Sequence, residues 1–511
     1  MKRSVRKTDY EVIFNQDYLW RSLGTAPGET DLTDLETVRR HVDLVVDAGC
    51  DALALCPNSL YQIPGWNSDH DPFWREEFHT RKFEGFGCSN YKRAGRLILD
   101  GFDVIQIAHD RARERGIAFL FSWRMNESQF VEIPGSDTTS RFWREHPEYR
   151  IGGPSAPLSP EGTGTNRTCR KRLALCFLHQ AVRDYQFGFI EELCRRYAFD
   201  GLELDFLRWP WFFPDDMPFE EKAPVMTAFV RRIREMVDQT DGKHVPIIAR
   251  VPNRLDLLRD IGLDLMGWVE GGLIDSVNIS ALFHTQPDGE IEAFRRTYPE
   301  TPLHAERGHC ISSHPNGRRI MTREMFHAAA HSFLERGADG ISLFNLPYAN
   351  PRGQRWPDYS PLQHIADCEF LARQPKHYFI ADNRIDSDVS FSKQLDATLT
   401  GDRQVSLQIH LADVNPSRAF SRAILRLMGK QAIEMRRIAA FLHSVRLDGT
   451  VHEGELFETP YEGGIPETQA VYKDFLVPLH LLQKGWNAFE FGFEDRGEAV
   501  TLTRMELALY P

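Results

Sequence analysis

The sequence lacks the features that mark membrane proteins and nucleic-acid-binding proteins. No stretch approaches the roughly 18 consecutive apolar residues that cross a bilayer, and the basic start Lys2–Lys7 is not followed by the apolar core of a secretion signal. Acidic residues outnumber basic ones, 73 to 61, for a net charge of −12. We therefore expect no membrane and no nucleic-acid partner. We also expect a cytoplasmic protein, or a secreted or periplasmic one if a signal peptide has been removed.

Cysteine is scarce as well. The eight cysteines in 511 residues form no CxxC pair and show no zinc-ligand spacing. We expect most of them to be buried core residues in a reducing compartment, and we predict neither a metal nor a cofactor. No repeat of 20–50 residues is visible, which argues against a solenoid.

Length and patterning divide the chain in two. A chain of 511 residues exceeds one ordinary core, and 42% hydrophobic with 26% charged residues is typical of a globular protein. Strand-like and helix-like segments alternate up to about residue 375. From about Tyr378 the segments alternate polar and apolar residues between Gly, Asp and Asn turns. We predict a (β/α)8 TIM barrel at residues 1–375 and an all-β, jelly-roll-like sandwich at residues 376–511.

The barrel prediction rests on eight apolar strand patterns with helical patterns between them. The helical patterns include Gly101–Arg115, Ala181–Tyr197, Ala223–Asp238 and Thr322–Arg336. The predicted strands are Glu11–Asn15, Asp51–Cys56, Ile117–Trp123, Gly201–Phe206, Val245–Val251, Ser276–Ala281, Pro302–Arg307 and Gly340–Leu346.

The fourth strand, Gly201–Phe206, carries two acids on one face. Glu203 and Asp205 alternate with apolar residues, so both point into the predicted barrel. Carboxylates are costly there unless they do chemistry or are paired. Asp205 lies nearer the carboxyl end of its strand, where TIM barrels keep their active sites. The alternative is a buried acid neutralised by an arginine, Arg208 or Arg250.

The seventh strand, Pro302–Arg307, places His304 and Glu306 on one face. The fourth and seventh strands lie roughly opposite each other in a barrel, so Asp205 and Glu306 are predicted to face one another across its mouth. Glycoside hydrolysis uses such a pair, one as acid and the other as nucleophile or base. The strand positions leave open which of the two is the acid, and Glu203 is predicted to tune the pair.

Other polar and aromatic residues follow the strands and are candidates for substrate binding. The arginines hint at an anionic sugar, or they simply neutralise the acids. Aromatic residues in the long loop after the second strand suit stacking on sugar rings, or they pack the loop's own core. The candidates are Arg124, Asn126, Arg208, Arg250, Asn278, His304, Asn345, Tyr61, Trp66 and Trp209.

Two segments carry a family resemblance, Ile107–Asn126 and Val182–Pro210. The second runs from a helix through Asp200-Gly201 to a strand, a carboxylate at Asp205 and an aromatic-proline exit. In this the chain resembles bacterial glycoside-hydrolase-like TIM barrels, the glycosyl hydrolase-like family ten and its relatives. The resemblance implies a TIM barrel that cleaves a glycosidic bond in an oligo- or polysaccharide, with Asp205 as the family's strand-four carboxylate. Glu306 on the seventh strand looks like the nucleophile position of clan A glycosidases. That resemblance implies Glu306 as nucleophile or base and Asp205 as general acid or its partner.

The prediction is therefore a glycoside hydrolase with a carbohydrate substrate, and homo-oligomer formation is left open. One alternative is a glycan-binding protein built on a barrel without catalysis. Another is a metal-dependent barrel hydrolase or isomerase with His304, Glu306, Glu203 and Asp205 as ligands.

Overall fold

The fold is described from a computed structural model. It describes residues 10–17, 34–58, 62–83, 91–160, 166–240, 244–282, 284–314, 317–346, 358–382, 392–395, 397–413, 415–430, 433–458, 471–495 and 497–511.

The first part of the chain forms a closed, eight-stranded parallel barrel, as predicted. Its strands are β1 (Val12–Asp17), β2 (Ala52–Cys56), β3 (Ala118–Arg124), β4 (Gly201–Asp205), β5 (Ile247–Pro252), β6 (Ser276–Ser280), β7 (Leu303–Arg307) and β10 (Gly340–Phe344). They follow one another around the barrel in chain order, and β10 pairs with β1 to close it. Between β7 and β10 the chain adds the antiparallel hairpin β8 (Cys310–His314) and β9 (Gly317–Ile320).

Helices connect the strands and cover the outside of the barrel. Their limits follow local signals: Asp103 caps the Val104 helix by accepting from the N–H of Gln106, and Gly116 ends that helix with a φ of 76°. The helices up to β10 are Asp34–Asp47, Phe73–Glu76, Tyr91–Leu99, Val104–Arg115, Arg141–Glu145, Arg167–Leu173, Gln180–Arg196, Phe219–Thr240, Leu255–Asp260, Leu265–Glu270, Ile291–Thr297 and Arg323–Glu335. Later come Cys368–Leu371 and Pro416–Ala419.

Inward-facing residues form layers along the barrel axis. The layer towards the amino ends of the strands is apolar and includes Ile13, Leu120 and Ile248. Two residues further along these strands the inward positions become polar, with Asn15, Ser122 and Arg250 in place of aliphatic side chains. The polar half therefore lies at the carboxyl ends of the strands, where the candidate residues were predicted.

The C-terminal part contains two antiparallel sheets, as predicted. One has the order β11 (Lys376–Ala381), β20 (Val500–Tyr510), β14 (Arg422–Gly429), β18 (Tyr472–Leu476), β17 (Asp448–Thr450), with β12 (Thr398–Leu399) paired to β20. The other has the order β13 (Val405–Leu411), β19 (Gly485–Phe493), β15 (Ile438–Leu442), β16 (Val445–Arg446). Alternate residues of β13 are buried and exposed, the pattern of a sheet with one covered face.

Strand β11 belongs to both cores. Its Phe379 and Ala381 pack in the hydrophobic core of the barrel, while Tyr378 and Ile380 pack in that of the sandwich. The alternation of side chains along a strand explains this division. The predicted boundary at residue 376 falls at the start of this strand, and the division of the chain into two domains stays a prediction.

Two expectations, on membrane-spanning helices and on cysteines, can be compared with the described residues. None of the helices in the described ranges is long and apolar enough to cross a membrane. The seven cysteines in those ranges are all free thiols, and five of them are buried.

We expect Phe379→Ala to lower the free energy of unfolding by about 3–5 kcal/mol, because it leaves a cavity where the two cores meet. Urea denaturation followed by tryptophan fluorescence measures this. The control Phe441→Ala removes a half-buried ring of β15 and should cost clearly less. A loss for Phe379→Ala no larger than that of the control would show that β11 does not couple the cores.

Candidate functional site

Asp205 and Glu306 are joined by a single guanidinium group, that of Arg250 on β5. Arg250 Nη1 donates to Asp205 Oδ2 at 2.7 Å, and Arg250 Nε and Nη2 donate to Glu306 Oε2 and Oε1 at 2.7 and 2.6 Å. The two carboxylates therefore lie within roughly 8 Å of each other. All three side chains are at least 99% buried. The predicted pair is brought together, and the alternative in which Arg250 neutralises the acids is realised at the same place.

Each carboxylate of the pair faces further donors. Asp205 Oδ1 accepts the backbone N–H groups of Leu207 and Arg208, both at 2.9 Å, which also fixes the turn after β4. The Ser280 hydroxyl donates to Glu306 Oε1, and Asn278 Nδ2 lies 3.3 Å from Glu306 Oε2. Hydrogen-bond donors therefore face both oxygens of each carboxylate.

Glu203 lies below the pair in a hydrogen-bond network across the barrel. Its Oε1 accepts from Asn15 Nδ2 and from the Ser122 hydroxyl, the latter at 2.7 Å, and its Oε2 accepts from Asn278 Nδ2 at 2.9 Å. Asn278 Nδ2 also donates to Ser342 Oγ at 3.1 Å. Asn278 therefore links Glu203 to the Glu306 carboxylate above it.

Burial raises the pKa of Glu203 to about 7. Desolvation is the main cause, because the side chain is fully buried; Arg250 opposes it, and the charge of Glu306 adds to it. The pKa of this carboxyl therefore lies near neutral pH, well above that of an ordinary glutamic acid.

A second arginine bridges another pair of carboxylates at the same end of the barrel. Arg124 on β3 bonds Asp17 at the end of β1 and Glu127 in the loop after β3, the latter at 2.7 Å. Glu127 Oε1 also accepts from Trp209 Nε1 at 2.8 Å, and Asn345 Nδ2 donates to Asp17 Oδ2 at 2.9 Å. Arg124 and Glu127 are buried, whereas 28% of the Asp17 side chain is exposed.

An apolar group lies beside the Arg250 bridge. Leu207, Leu282 and Phe344 pack against one another, and each is buried. Each follows a member of the polar network by two positions in the chain, so the three come from the carboxyl ends of β4, β6 and β10. The Arg250 guanidinium lies over the Phe344 ring at 4.2 Å from its centre.

Backbone strain concentrates around this end of the barrel. Four non-glycine residues with positive φ follow barrel strands: Phe130 after β3, Trp209 after β4, Leu282 after β6 and Asn345 after β10. Their φ values are 65°, 59°, 67° and 50°. Such conformations are unfavourable for bulky residues and cluster at functional sites. The strain thus marks the same end of the barrel as the carboxylates.

The structure brings most candidate residues together there, in two groups. Glu203, Asp205, Arg250, Asn278 and Glu306 form the network around the Arg250 bridge. Arg124, Asn345 and Trp209 belong to the Arg124 bridge, and Arg208 lies over the Trp209 ring and donates to Gln129 Oε1 at 2.7 Å. Burial lowers the pKa of Arg208 to about 9.

Three candidates lie elsewhere. His304 points into the barrel one layer below Glu306, where its Nε2 is 2.8 Å from the carbonyl oxygen of Tyr10. Asn126 donates to the carbonyl oxygens of Leu175 and Trp211, so it ties loops together. Trp66 is 2% exposed and packs edge-on against Trp123 and Phe189, which supports the alternative that the aromatic loop packs its own core. Tyr61 lies outside the described residues.

Several residues of the site were not among the sequence candidates. They are Asn15, Asp17, Ser122, Glu127, Ser280 and Ser342. The two-residue period was the available signal for most of them, since Asn15 and Asp17 share a face, as do Ser122 and Arg124. Glu127 lies in a loop and had no such signal.

The metal-site alternative finds no support in the geometry. In the described ranges, no group of three or more His, Cys, Asp or Glu side chains is placed to hold a metal ion. The Asp205 and Glu306 carboxylates are both bonded to Arg250, and a guanidinium is not a metal ligand.

No protein-family model and no curated protein sequence matches the chain. Similar solved structures include α-L-fucosidase isoenzyme 2 from Paenibacillus thiaminolyticus, at 13% identity and a TM-score of 0.44, over 71% of this chain and 49% of that one. The chain thus spans about half the length of that fucosidase.

Two further similar structures are glycoside hydrolases by name. The glycoside hydrolase domain of PgaB (BpsB) from Bordetella bronchiseptica is 13% identical with a TM-score of 0.41, over 70% of this chain and 98% of that one. The α-L-fucosidase from Vibrio sp. strain EJY3 is 9% identical with a TM-score of 0.39, over 98% and 96%. Structural similarity at such low sequence identity and TM-score does not establish the activity of this chain.

We expect Glu203 to make stability fall as pH rises. Because its pKa is raised in the folded state, its stabilising contribution is complete below its unfolded pKa near 4.3 and is lost as pH rises through about 7. The loss amounts to roughly 3 kcal/mol. In Glu203→Gln this part of the pH dependence should disappear from unfolding free energies measured by denaturant titration between pH 4.5 and 8.

All other titratable groups are the same in the two proteins, so the difference between the two curves isolates Glu203. The control Glu191→Gln changes a partly exposed glutamate on an outer helix and should keep the wild-type slope. Parallel curves for wild type and Glu203→Gln would contradict a raised pKa at this carboxyl.

Proposed function

We propose that the chain is a glycoside hydrolase that cleaves an O-glycosidic bond in an oligo- or polysaccharide. The observation that carries this proposal is the pair of carboxylates, Asp205 and Glu306, at the carboxyl ends of β4 and β7 and within reach of one guanidinium group. Two carboxylates at such a separation suit the acid and the nucleophile or base of glycoside hydrolysis. The backbone strain around the same strand ends supports a functional role.

In this proposal Glu306 is the nucleophile or base. Its partners are Arg250, Ser280 and Asn278, all of them hydrogen-bond donors. The Arg250 fork holds both oxygens in one orientation, as a positioned nucleophile requires. Asp205 is its partner across the guanidinium group and the candidate general acid.

The local charge favours a neutral sugar over an anionic one. Arg250 and Arg124 each bond two carboxylates, which gives each bridge a formal charge of about −1 when all groups are ionised. Arg208 lies close to Asp17 and Glu127 and offsets the charge of the Arg124 bridge, so the excess negative charge is at the Arg250 bridge. A negative site stabilises the positive charge that develops on the sugar ring during glycoside cleavage. It would repel a uronic acid or a sulfated sugar.

The proposal also requires movement of side chains. Asp205 and Glu306 are buried, and Leu207, Leu282 and Phe344 pack beside their bridge, so a sugar ring reaches the two carboxylates only when side chains at this end of the barrel move. Leu282 has a positive φ, and relief of that strain would offset part of the cost of movement.

A second candidate function is glycan binding without catalysis. The observation in its favour is that Arg250 engages both carboxylates and all three side chains are buried, which is also how a structural ion-pair network looks. In this case the barrel would bind a carbohydrate at its mouth and release no product.

Asp205→Asn and Glu306→Gln should each lower the rate of hydrolysis by about a thousandfold or more, because each removes a group that takes part in the transition state. The measurement is release of reducing sugar from a panel of neutral, uronic-acid and sulfated glycans. Circular dichroism and thermal melting establish that the variants are folded.

The matched control is Asp474→Asn in the sandwich. Asp474 is also buried and bonded by an arginine, Arg426, at 2.8 and 3.0 Å, but it lies outside the barrel. The Asp474→Asn variant should be less stable than wild type, but its folded fraction should have the specific activity of wild type. Near-wild-type turnover in a folded Glu306→Gln variant would remove Glu306 from the chemistry. Binding without turnover by the wild type would favour the second candidate.

A further inference from the structure

Among the carboxylates at the carboxyl ends of the described barrel strands, Asp17 is the one that solvent reaches. Its side chain is 28% exposed, against 1% for Asp205 and 0% for Glu306. Glu127, on the same arginine, is 4% exposed. A ligand entering the mouth therefore meets Asp17 before any of the buried acids.

Two buried neighbours fix the orientation of Asp17. Arg124 donates to its Oδ1, and Asn345 Nδ2 donates to its Oδ2 at 2.9 Å. Each oxygen of a carboxylate has two acceptor positions, so both keep one for a ligand. Arg124 is 1% exposed and Asn345 is 2% exposed, so their own positions are held by packing.

The same two neighbours have polar atoms that no described group satisfies. Asn345 Oδ1 is a buried acceptor and Arg124 Nε is a buried donor. Neither atom has a hydrogen-bond partner in the described part of the chain. Buried polar atoms are nearly always satisfied in native structures, and those left open at a site point to a ligand or water. Asn345 also adopts a φ of 50°, a conformation that asparagine tolerates better than bulkier residues.

We propose that Asp17, Asn345 and Arg124 form a subsite for the hydroxyl groups of a neutral sugar. The carboxylate and the Asn345 carbonyl oxygen accept from adjacent hydroxyl groups, and the Arg124 Nε–H donates to a hydroxyl oxygen. A uronate or sulfate is disfavoured, because Asp17 presents negative charge and its arginine is already bonded to two carboxylates. This inference rests on the proposed function only in that the ligand is a carbohydrate, and it holds with or without turnover.

The test compares binding of small sugars by wild-type and variant full-length protein in isothermal titration calorimetry. The probes are methyl glycosides of neutral hexoses, 6-deoxyhexoses and pentoses, beside glucuronic and galacturonic acid. Asp17→Asn should lower the affinity for the neutral glycoside that wild type binds best by about 10- to 100-fold, because charge-assisted hydrogen bonds are lost. It should also raise the affinity for the uronic acids relative to the neutral sugar.

Two more variants separate recognition from folding. Asn345→Gly removes the amide at a positive-φ position that glycine adopts without strain, and it should also weaken the neutral sugar. Asp43→Asn is the matched control, because Asp43 also bonds two arginines, Arg111 and Arg115, but between outer helices. It should bind sugars as wild type does.

The outcomes for this subsite and for the proposed function are distinguishable. Wild-type affinity and selectivity in a folded Asp17→Asn variant would overturn the subsite, even if Glu306→Gln abolishes hydrolysis. Weakened neutral-sugar binding by Asp17→Asn together with no hydrolysis by the wild type would support the subsite and overturn the hydrolase. Absence of binding by the wild type to every sugar of the panel would overturn the subsite.

Discussion

The Arg250 guanidinium is the interaction on which the polar half of the barrel depends. It lies on β5 and bonds the carboxylates of β4 and β7, so it ties three of the eight strands together at the end where the barrel opens. Without it, two carboxylates would be buried within a few ångströms of each other, at a cost of several kcal/mol. The fork geometry of the guanidinium makes it possible to hold both acids in fixed directions. Packing alone would not do so.

Burying this polar network costs folding free energy, so stability alone does not account for its presence. Hydrophobic residues of similar volume would fill the barrel as well or better, as they do in the layer of Ile13, Leu120 and Ile248 below. The chain instead buries a network to which seven of the eight strands contribute, and one of its members, Glu203, has a pKa far from its ordinary value. Costly polar burial that coincides with strained backbone is typical of sites that bind or react.

The fold was predictable from the sequence because its signals are local. The two-residue period of strands such as Gly201–Asp205 and the glycine stops of helices depend only on neighbouring residues, and they predicted the barrel, the sandwich and the inward face of Asp205 and Glu306. Depth along the barrel axis follows from the same period. His304 shares a face with Glu306 as expected and lies one layer lower because it precedes Glu306 by two residues on β7.

The hydrogen-bond partners of the buried arginines were harder to predict than their positions. The sequence showed that Arg250 and Arg124 reach the strand ends, but which acid each one bonds depends on the stagger of strands far apart in the chain, as with Asp17 and Arg124. Trp66 illustrates the same limit, since exposure of a loop aromatic is decided by the helix on which the loop folds.

The acids differ in how deeply they lie in the barrel, and this depth decides whether solvent or a ligand can reach each one. Glu203 is the deepest of these acids, Asp205 and Glu306 are buried beside Leu207, Leu282 and Phe344, and Asp17 is reached from solvent. In the proposed function a sugar would meet Asp17 first, and contact with the buried atoms of Asn345, Arg124 and the Arg250 bridge would then require side chains at this end of the barrel to move. Free energy from binding at Asp17 would be available for that movement, so recognition would precede chemistry at Asp205 and Glu306.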